Sequence, residues 1–263
     1  MRLYYEIALR SFRRATTYRG AYIAGMLTNA FFGALRSFMY IAIYDAGGAA
    51  AGFTLDDLIS YTWITQSLIS IGAGWIISRE LMGSIKSGDV VTELSRPWSF
   101  YGYWLSQSLG ERCFNLLLRG SLTYLIGVLY FGAHIPSLAE ALAFAVAICL
   151  ALLLSFAFSF IVNLSAFWLI DNSGLVMVAN IMLSFFSGFL LPLAFFPPPL
   201  AAIARALPFQ AITALPAQIF LGQFTGPALA QALLLQLFWV IVLVGVGLLL
   251  LQLAVRKVII QGG

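Results

Sequence analysis

The groups in this chain that could do chemistry are few and badly placed for it. Asp56 and Asp57 are adjacent. Neighbours along a helix do not face each other, so the pair reads as a helix start rather than as paired acids. His134 is the single histidine and sits in a turn between apolar runs. It reads as a surface histidine, outside any H-E-x-x-H frame. Cys113 and Cys149 both fall in apolar segments. They read as membrane-embedded free thiols rather than as a disulfide or metal site. Gly83-Ser84-Ile85-Lys86-Ser87 lacks the glycine frame with which G-x-x-x-x-G-K-[ST] wraps phosphates. The sequence therefore assigns no catalytic residue, no metal ligand and no cofactor to this chain. Nucleotide, if used, belongs to another chain.

The elements that surround these groups explain why. No charge occurs between Glu140 and Asp171, between Asp171 and Arg205, or between Arg205 and Arg256. About 20 apolar residues cross a bilayer as a helix. Charged residues make up 9% of the chain, against about 25% in soluble domains. The pattern predicts an all-α integral membrane protein with six transmembrane helices, at roughly 21–44, 57–78, 113–131, 138–168, 174–195 and 228–255. The third has an amphipathic lead-in from Trp98. Thr54 followed by Asp57 predicts a capping box that opens the second. Residues 1–20 read as an interfacial amphipathic helix with no cleavable signal. Arg2, Glu6, Arg10 and Arg13 form its polar stripe, Leu3, Tyr5, Ile7, Leu9 and Phe12 its apolar face, and Glu6–Arg10 a supporting pair. Pro192 and Pro197–Pro199 stop the fifth helix. Residues 192–226 then read as an external re-entrant helical hairpin between helices 5 and 6.

Charge placement orients the chain. The first 20 residues carry five arginines, and Arg79, Lys86, Arg96, Arg256 and Lys257 fall on the same side. The alternate loops offer only Arg205. Both termini are expected in the cytoplasm.

The most specific segment is Ser78–Ser99. Leu81, Met82 and Ile85 share one face of a short helix, Gly88-Asp89 breaks it, and Val90, Val91 and Leu94 add apolar surface beside Glu80, Asp89 and Glu93. A projecting apolar helix must pack on a partner or fold back on the membrane interface.

Here the sequence resembles a family. Glu80, Gly83, Gly88 and Glu93-Leu94-Ser95-Arg96-Pro97 are similar to the E…G…(D/E)-x-L-L-x-R-P pattern of ABC type 2 (ABC-2) exporter permeases. Phe167-Trp168-Leu169-Ile170-Asp171, Ser187-Gly188-Phe189-Leu190-Leu191-Pro192, Leu207-Pro208-Phe209 and the tail from Arg256 follow in family order. Ser95 departs from the apolar residue often found there. The resemblance implies a single ABC-2-type transmembrane domain over 1–263, in a bacterial inner membrane. It would pair with a second permease, identical or homologous, and with cytoplasmic ATPase subunits that carry ATP and Mg. The loop 79–97 would be the coupling helix, with Glu80, Leu81, Met82, Gly83, Ile85, Gly88, Asp89, Leu94, Arg96 and Pro97 at the ATPase contact. Drug-like hydrophobic or cationic compounds, lipids and glycans are all compatible substrates. A secondary transporter, a membrane enzyme and a non-catalytic assembly protein are the competing classes. The first wants inverted repeats, the second a catalytic cluster, and neither is visible.

Polar residues at membrane depth default to functional readings. Asn29, Arg36, Gln66, Arg119, Asn163 and Asn180 are the candidate pore or interface residues. Arg112, Asn115 and Arg119 are expected to form a polar seam paired to Glu111 or Glu6. Trp63, Trp75, Phe31 and Phe32 read as lipid-facing or interfacial, with the border of a lipid-like or aromatic substrate as the alternative.

Overall fold

The computed structural model describes residues 2–17, 19–48, 52–72, 78–169 and 171–256. Expectations that rest on Trp75, Ile170 and the tail after Arg256 lie outside them. Among the described residues the chain is helical throughout and has no strand.

Helix α1 (Arg2–Ala15) is amphipathic, but its packed face is not its most apolar one. Leu3 and Tyr5 are exposed. Tyr4, Ala8, Ser11 and Phe12 instead meet α6 (Phe100–Phe114). Ser11 Oγ donates to Gln107 O at 2.7 Å, Ser99 N donates to Tyr4 Oη at 3.0 Å, and Phe12 meets Phe114 edge-on at 5.4 Å. Gly110 permits this approach, since a Cβ there would lie 2.1 Å from Ala8 O. Small residues at Ala8, Ser11 and Gly110, flanked by the rings of Tyr4 and Phe12, set the docking of α1. The expected Glu6–Arg10 ion pair does not form.

Among the described residues four helical stretches are long and apolar enough to cross a membrane: Tyr22–Asp45, Phe100–Phe131, Leu138–Phe167 and Gly226–Val255. The first is most of α2 (Arg19–Asp45). The second begins at Phe100, earlier than the expected residue 113. There α6 runs through a π-helical turn, Asn115–Gly120, into α7 (Ser121–Phe131). The third contains α8 (Leu138–Leu164), and the fourth is α12 (Gly226–Val255).

Two of the six expected spans are shorter than the sequence suggested. The predicted Thr54–Asp57 capping box opens α3 (Leu55–Ser67), but the helix stops after 13 residues. Thr65 Oγ1 bonds back to Tyr61 O and Ser67 Oγ to Trp63 O, both at 2.8 Å. Such back-bonds compete with the helical ladder and bend it. Tight turns follow, with Ile71 N donating to Leu68 O at 2.9 Å. Helix α9 (Ser173–Phe186) has 14 residues. At 1.5 Å per residue it spans roughly 21 Å, short of the ~30 Å hydrocarbon core. Gly188, at φ +80°, ends it, and Gly188 O accepts from Tyr61 Oη at 2.8 Å. Beyond it lie α10 (Pro198–Ala206) and α11 (Ala214–Phe220). The stretches 198–206 and 208–220 are bent by 66° and together make up to a fifth crossing.

Helix α8 is the centre of the packing, with Ala147, Ala151, Leu154 and Ala157 fully buried. It lies against α11 and α12. Gln236, on the largely apolar α12, donates from Nε2 to Ala147 O at 3.2 Å and Ala211 O at 2.8 Å. Trp63 corrects a second expectation. It is wholly buried between Gly33 and Gly127, and its Nε1 donates to Ser37 Oγ at 3.1 Å. The two glycines leave room for an indole that composition alone sends to the lipid. Phe31 and Phe32 do face outward, as do Leu129, Met177 and Ile241.

Candidate functional site at the α1–α4 end

The segment singled out by its motif folds as α4 (Arg79–Ser87) and α5 (Val90–Leu94). Ser78 caps α4 through Oγ, which accepts from Leu81 N at 3.2 Å. Ser78 N donates to Asn163 Oδ1 at 3.0 Å, which ties the start of α4 to the end of α8. Gly88 closes α4 in the left-handed conformation at φ +86°, a backbone that glycine adopts without a Cβ penalty. Ser84 Oγ donates to Glu93 Oε1 at 2.7 Å and Ser87 Oγ to Asp89 Oδ2 at 2.6 Å. These bonds fold α5 back on α4.

The apolar face of α4 is not free. Leu81, Ile85 and Val90 are buried with Phe100, Trp104, Phe156 and Phe160. Met82 and Leu94 are half-buried. The start of α6 and the C-terminal half of α8 thus cover a face that the sequence reading gave either to a partner or to the membrane interface. The exposed residues of the segment include Glu80, Gly83, Lys86, Gly88, Asp89, Val91, Arg96 and Pro97. The Asp171 carboxylate adjoins this surface. Its pKa is held below the usual carboxylate value, first by the Ser173 backbone N–H, then by the Ser173 hydroxyl, with a smaller contribution from Lys86.

Glu80 joins three elements. Its Oε1 accepts from Arg14 Nη1 of α1 at 2.5 Å, and its Oε2 accepts from Gln107 Nε2 of α6. About half of each side chain in the Arg14–Glu80 pair is exposed, so the pair is worth roughly 0–1 kcal/mol. Its value lies in alignment. Behind it opens a cavity of about 670 Å³, whose walls include Arg79, Trp104, Glu111, Arg112, Phe156 and Asn163.

The six candidate membrane-depth residues do not share one path. Asn29, Gln66 and Arg119 are brought together. Arg119 Nη2 donates to Asn29 Oδ1 at 2.9 Å and Gly25 O at 3.0 Å. Asn29 Nδ2 donates to Gln66 O at 3.2 Å. Arg36 lies elsewhere, donating to Phe189 O at 3.1 Å with its guanidinium 5.4 Å from the Phe189 ring centre. Asn163 serves the start of α4. Asn180 bonds back to Val176 O at 3.1 Å. The expected seam of Arg112, Asn115 and Arg119 is not formed either. Arg112 crosses to Ser155 Oγ at 2.5 Å, and Asn115 bonds back to Glu111 O at 2.9 Å. The π turn widens the helix between Arg112 and Arg119, so simple helical spacing does not carry across it. Neither arginine forms an ion pair with Glu111 or Glu6.

Some engaged groups escaped the sequence reading. Ser155 links Arg112 to Ile71 O, and a serine in an apolar helix gives no signal of that. Gln236 does carry one, as the amide in the middle of a long apolar helix whose other two glutamines, Gln231 and Gln252, lie nearer its ends. His134 is also more engaged than a surface residue. At the opposite end of α8, its backbone N–H donates to Ser60 Oγ at 2.9 Å and its Nε2 lies 3.2 Å from Glu140 Oε2.

Long apolar helices, a buried polar network and a capped helix pair at one end describe a membrane subunit. The sequence pattern described as "ABC-2 family transporter protein" matches residues 31–262. The chain belongs to this family. It is accordingly a multi-pass membrane protein of the permease class, a class that associates with ABC ATPases. No curated protein and no solved structure matches the chain.

Proposed function

We propose that the chain is one half of the translocation path of an ATP-driven exporter and couples to a separate ATPase subunit through α4 and α5. The family match over nearly the whole length carries this reading. The exposed rim of Gly83, Lys86, Asp89, Val91 and Pro97 supports it, because a capped, internally braced helix pair can pass a push to α8 without itself unfolding. ATP and Mg would sit on the ATPase partner. A second permease, identical or homologous, would supply the other half. Both termini and the α4–α5 end would face the cytoplasm of a bacterial inner membrane, with residues 192–226 outside as a re-entrant gate. The chain itself would do no covalent chemistry, and its cargo would be a drug-like compound, a lipid or a glycan.

Purification of the tagged chain in mild detergent, with mass spectrometry of what accompanies it, tests the reading. The expected result is an ABC ATPase in the wild type and its loss in Lys86→Glu/Val91→Glu, which alters only exposed side chains. Undiminished ATPase recovery with a stably folded double variant would remove α4–α5 as the contact. Recovery of no ATPase in any detergent would count against the exporter itself.

A further inference from the structure

We infer that the groove between α1 and the start of α6 binds the phosphate headgroup of an acidic membrane lipid. The groove has a volume of about 390 Å³ and is lined by Arg10, Arg14 and Arg96 beside Trp98 and Tyr103. Leu3 and Ile7 supply an apolar floor. Among the described residues Glu80 is the only acid on its wall, and that carboxylate is already engaged by Arg14 and Gln107. Arg10 and Arg96 have no ion-pair partner among the described residues. The uncompensated charge is therefore positive.

The geometry fits a lipid rather than a soluble peptide. Trp98 and Tyr103 stack at 5.9 Å with their planes 13° apart, and the Arg96 guanidinium lies 5.0 Å from the Trp98 ring centre. Stacked amphipathic rings at a helix start belong at headgroup level. Exposed Leu3 and Tyr5 point α1 at the acyl boundary. Basic pockets at that depth collect acidic headgroups, and each arginine near the surface is worth about fivefold in their enrichment. On this reading Arg96, although part of the family motif, serves the membrane instead of the ATPase. The inference needs only the interfacial position of this end and does not depend on transport.

Trp98 reports on its own neighbour. The full-length chain is reconstituted in phosphatidylcholine vesicles that contain either phosphatidylglycerol or phosphatidylcholine with brominated chains, at equal bromine content. The Trp98 contribution is the difference in quenching between wild type and Trp98→Phe. Stronger quenching by brominated phosphatidylglycerol is expected, with most of the excess lost in Arg10→Gln/Arg96→Gln. Inorganic phosphate at matched ionic strength separates the sources. If the excess survives it, a lipid headgroup is the ligand. If phosphate abolishes it, the groove reads free phosphate and the lipid assignment is overturned. Equal quenching by the two lipids in the wild type, which needs no variant, would also overturn the proposal. So would an excess that persists in the double arginine variant.

Discussion

The contact at Gly110 gives the sharpest test of how α1 is held. Gly110→Ala would place a Cβ 2.1 Å from Ala8 O. Ordinary carbon–oxygen contacts run about 3.3–3.6 Å, so α1 must retreat by more than about 1 Å. The obstructing atom is a backbone carbonyl within a helix and cannot rotate away. Overpacking of this kind costs about 1–3 kcal/mol. The same substitution gains about 1 kcal/mol in helix propensity. The net expectation is a loss of about 0–2 kcal/mol. Gly83→Ala isolates the second effect. It sits mid-helix in α4 with no atom within 4 Å of the added Cβ, so it should stabilise by up to about 1 kcal/mol. The difference between the two variants reports the clash alone. Thermal unfolding in detergent, followed by tryptophan emission, measures it. Trypsin cleavage at Arg10, Arg13 and Arg14 should quicken in Gly110→Ala as α1 lifts from α6. A Gly110→Ala protein that matches Gly83→Ala in stability, with unchanged cleavage, would refute the packing argument.

Three further outcomes are expected. Leu81→Ala should cost about 2–5 kcal/mol through a cavity under α4, read as a lower unfolding midpoint; an unaffected midpoint would mean that Leu81 is not packed on α8. Asn29→Leu removes an acceptor from Arg119 and should cost about 1.5–3 kcal/mol, while Asn29→Asp keeps that acceptor but loses the Nδ2 donor to Gln66 O and should recover only part of the loss in the same assay. Asp171 titrates below the ordinary carboxylate value in the folded chain, so the stabilisation linked to it is present above that value and is lost as pH falls through the depressed folded pKa. Ser173→Ala should raise the Asp171 pKa towards ordinary, as followed by carboxyl-carbon NMR.

The long helices were legible because lipid enforces them. An uncharged run such as 141–170 has few folded alternatives in a bilayer. The capping box at Thr54–Asp57 was legible because two residues three positions apart specify it. The ends of α3 and α9 were not, since hydroxyl back-bonds at Thr65 and Ser67 and the left-handed turn at Gly188 depend on which neighbours are present. The motif in Ser78–Ser99 located α4 and α5, while their burial was hidden. Leu81 and Ile85 look the same in sequence whether they await a partner chain or already rest on Phe160. The membrane-depth polar residues were marked as pore or interface candidates, and the structure gives hydrogen-bond partners to Asn29, Arg36, Arg119, Asn163 and Asn180. Their grouping failed at Arg112 and Arg119 because a π turn has no clear compositional sign.

Helix α8 is fastened at both ends. At one end Asn163 accepts from the backbone N–H of Ser78, beside the buried face of α4. At the other, Glu140 lies against His134 and caps its own helix through Ser137. Its 27 residues extend roughly 40 Å. A helix resists stretching, because each turn is closed by its own hydrogen bonds, so a rod pinned in this way answers a sideways load at one end by pivoting. Its fulcrum is the run of fully buried alanines at 147, 151 and 157, whose short side chains obstruct a pivot least. A small displacement of α4 would then reach the His134–Glu140 contact as a lateral swing of opposite sign. The lever needs no change of secondary structure along its length.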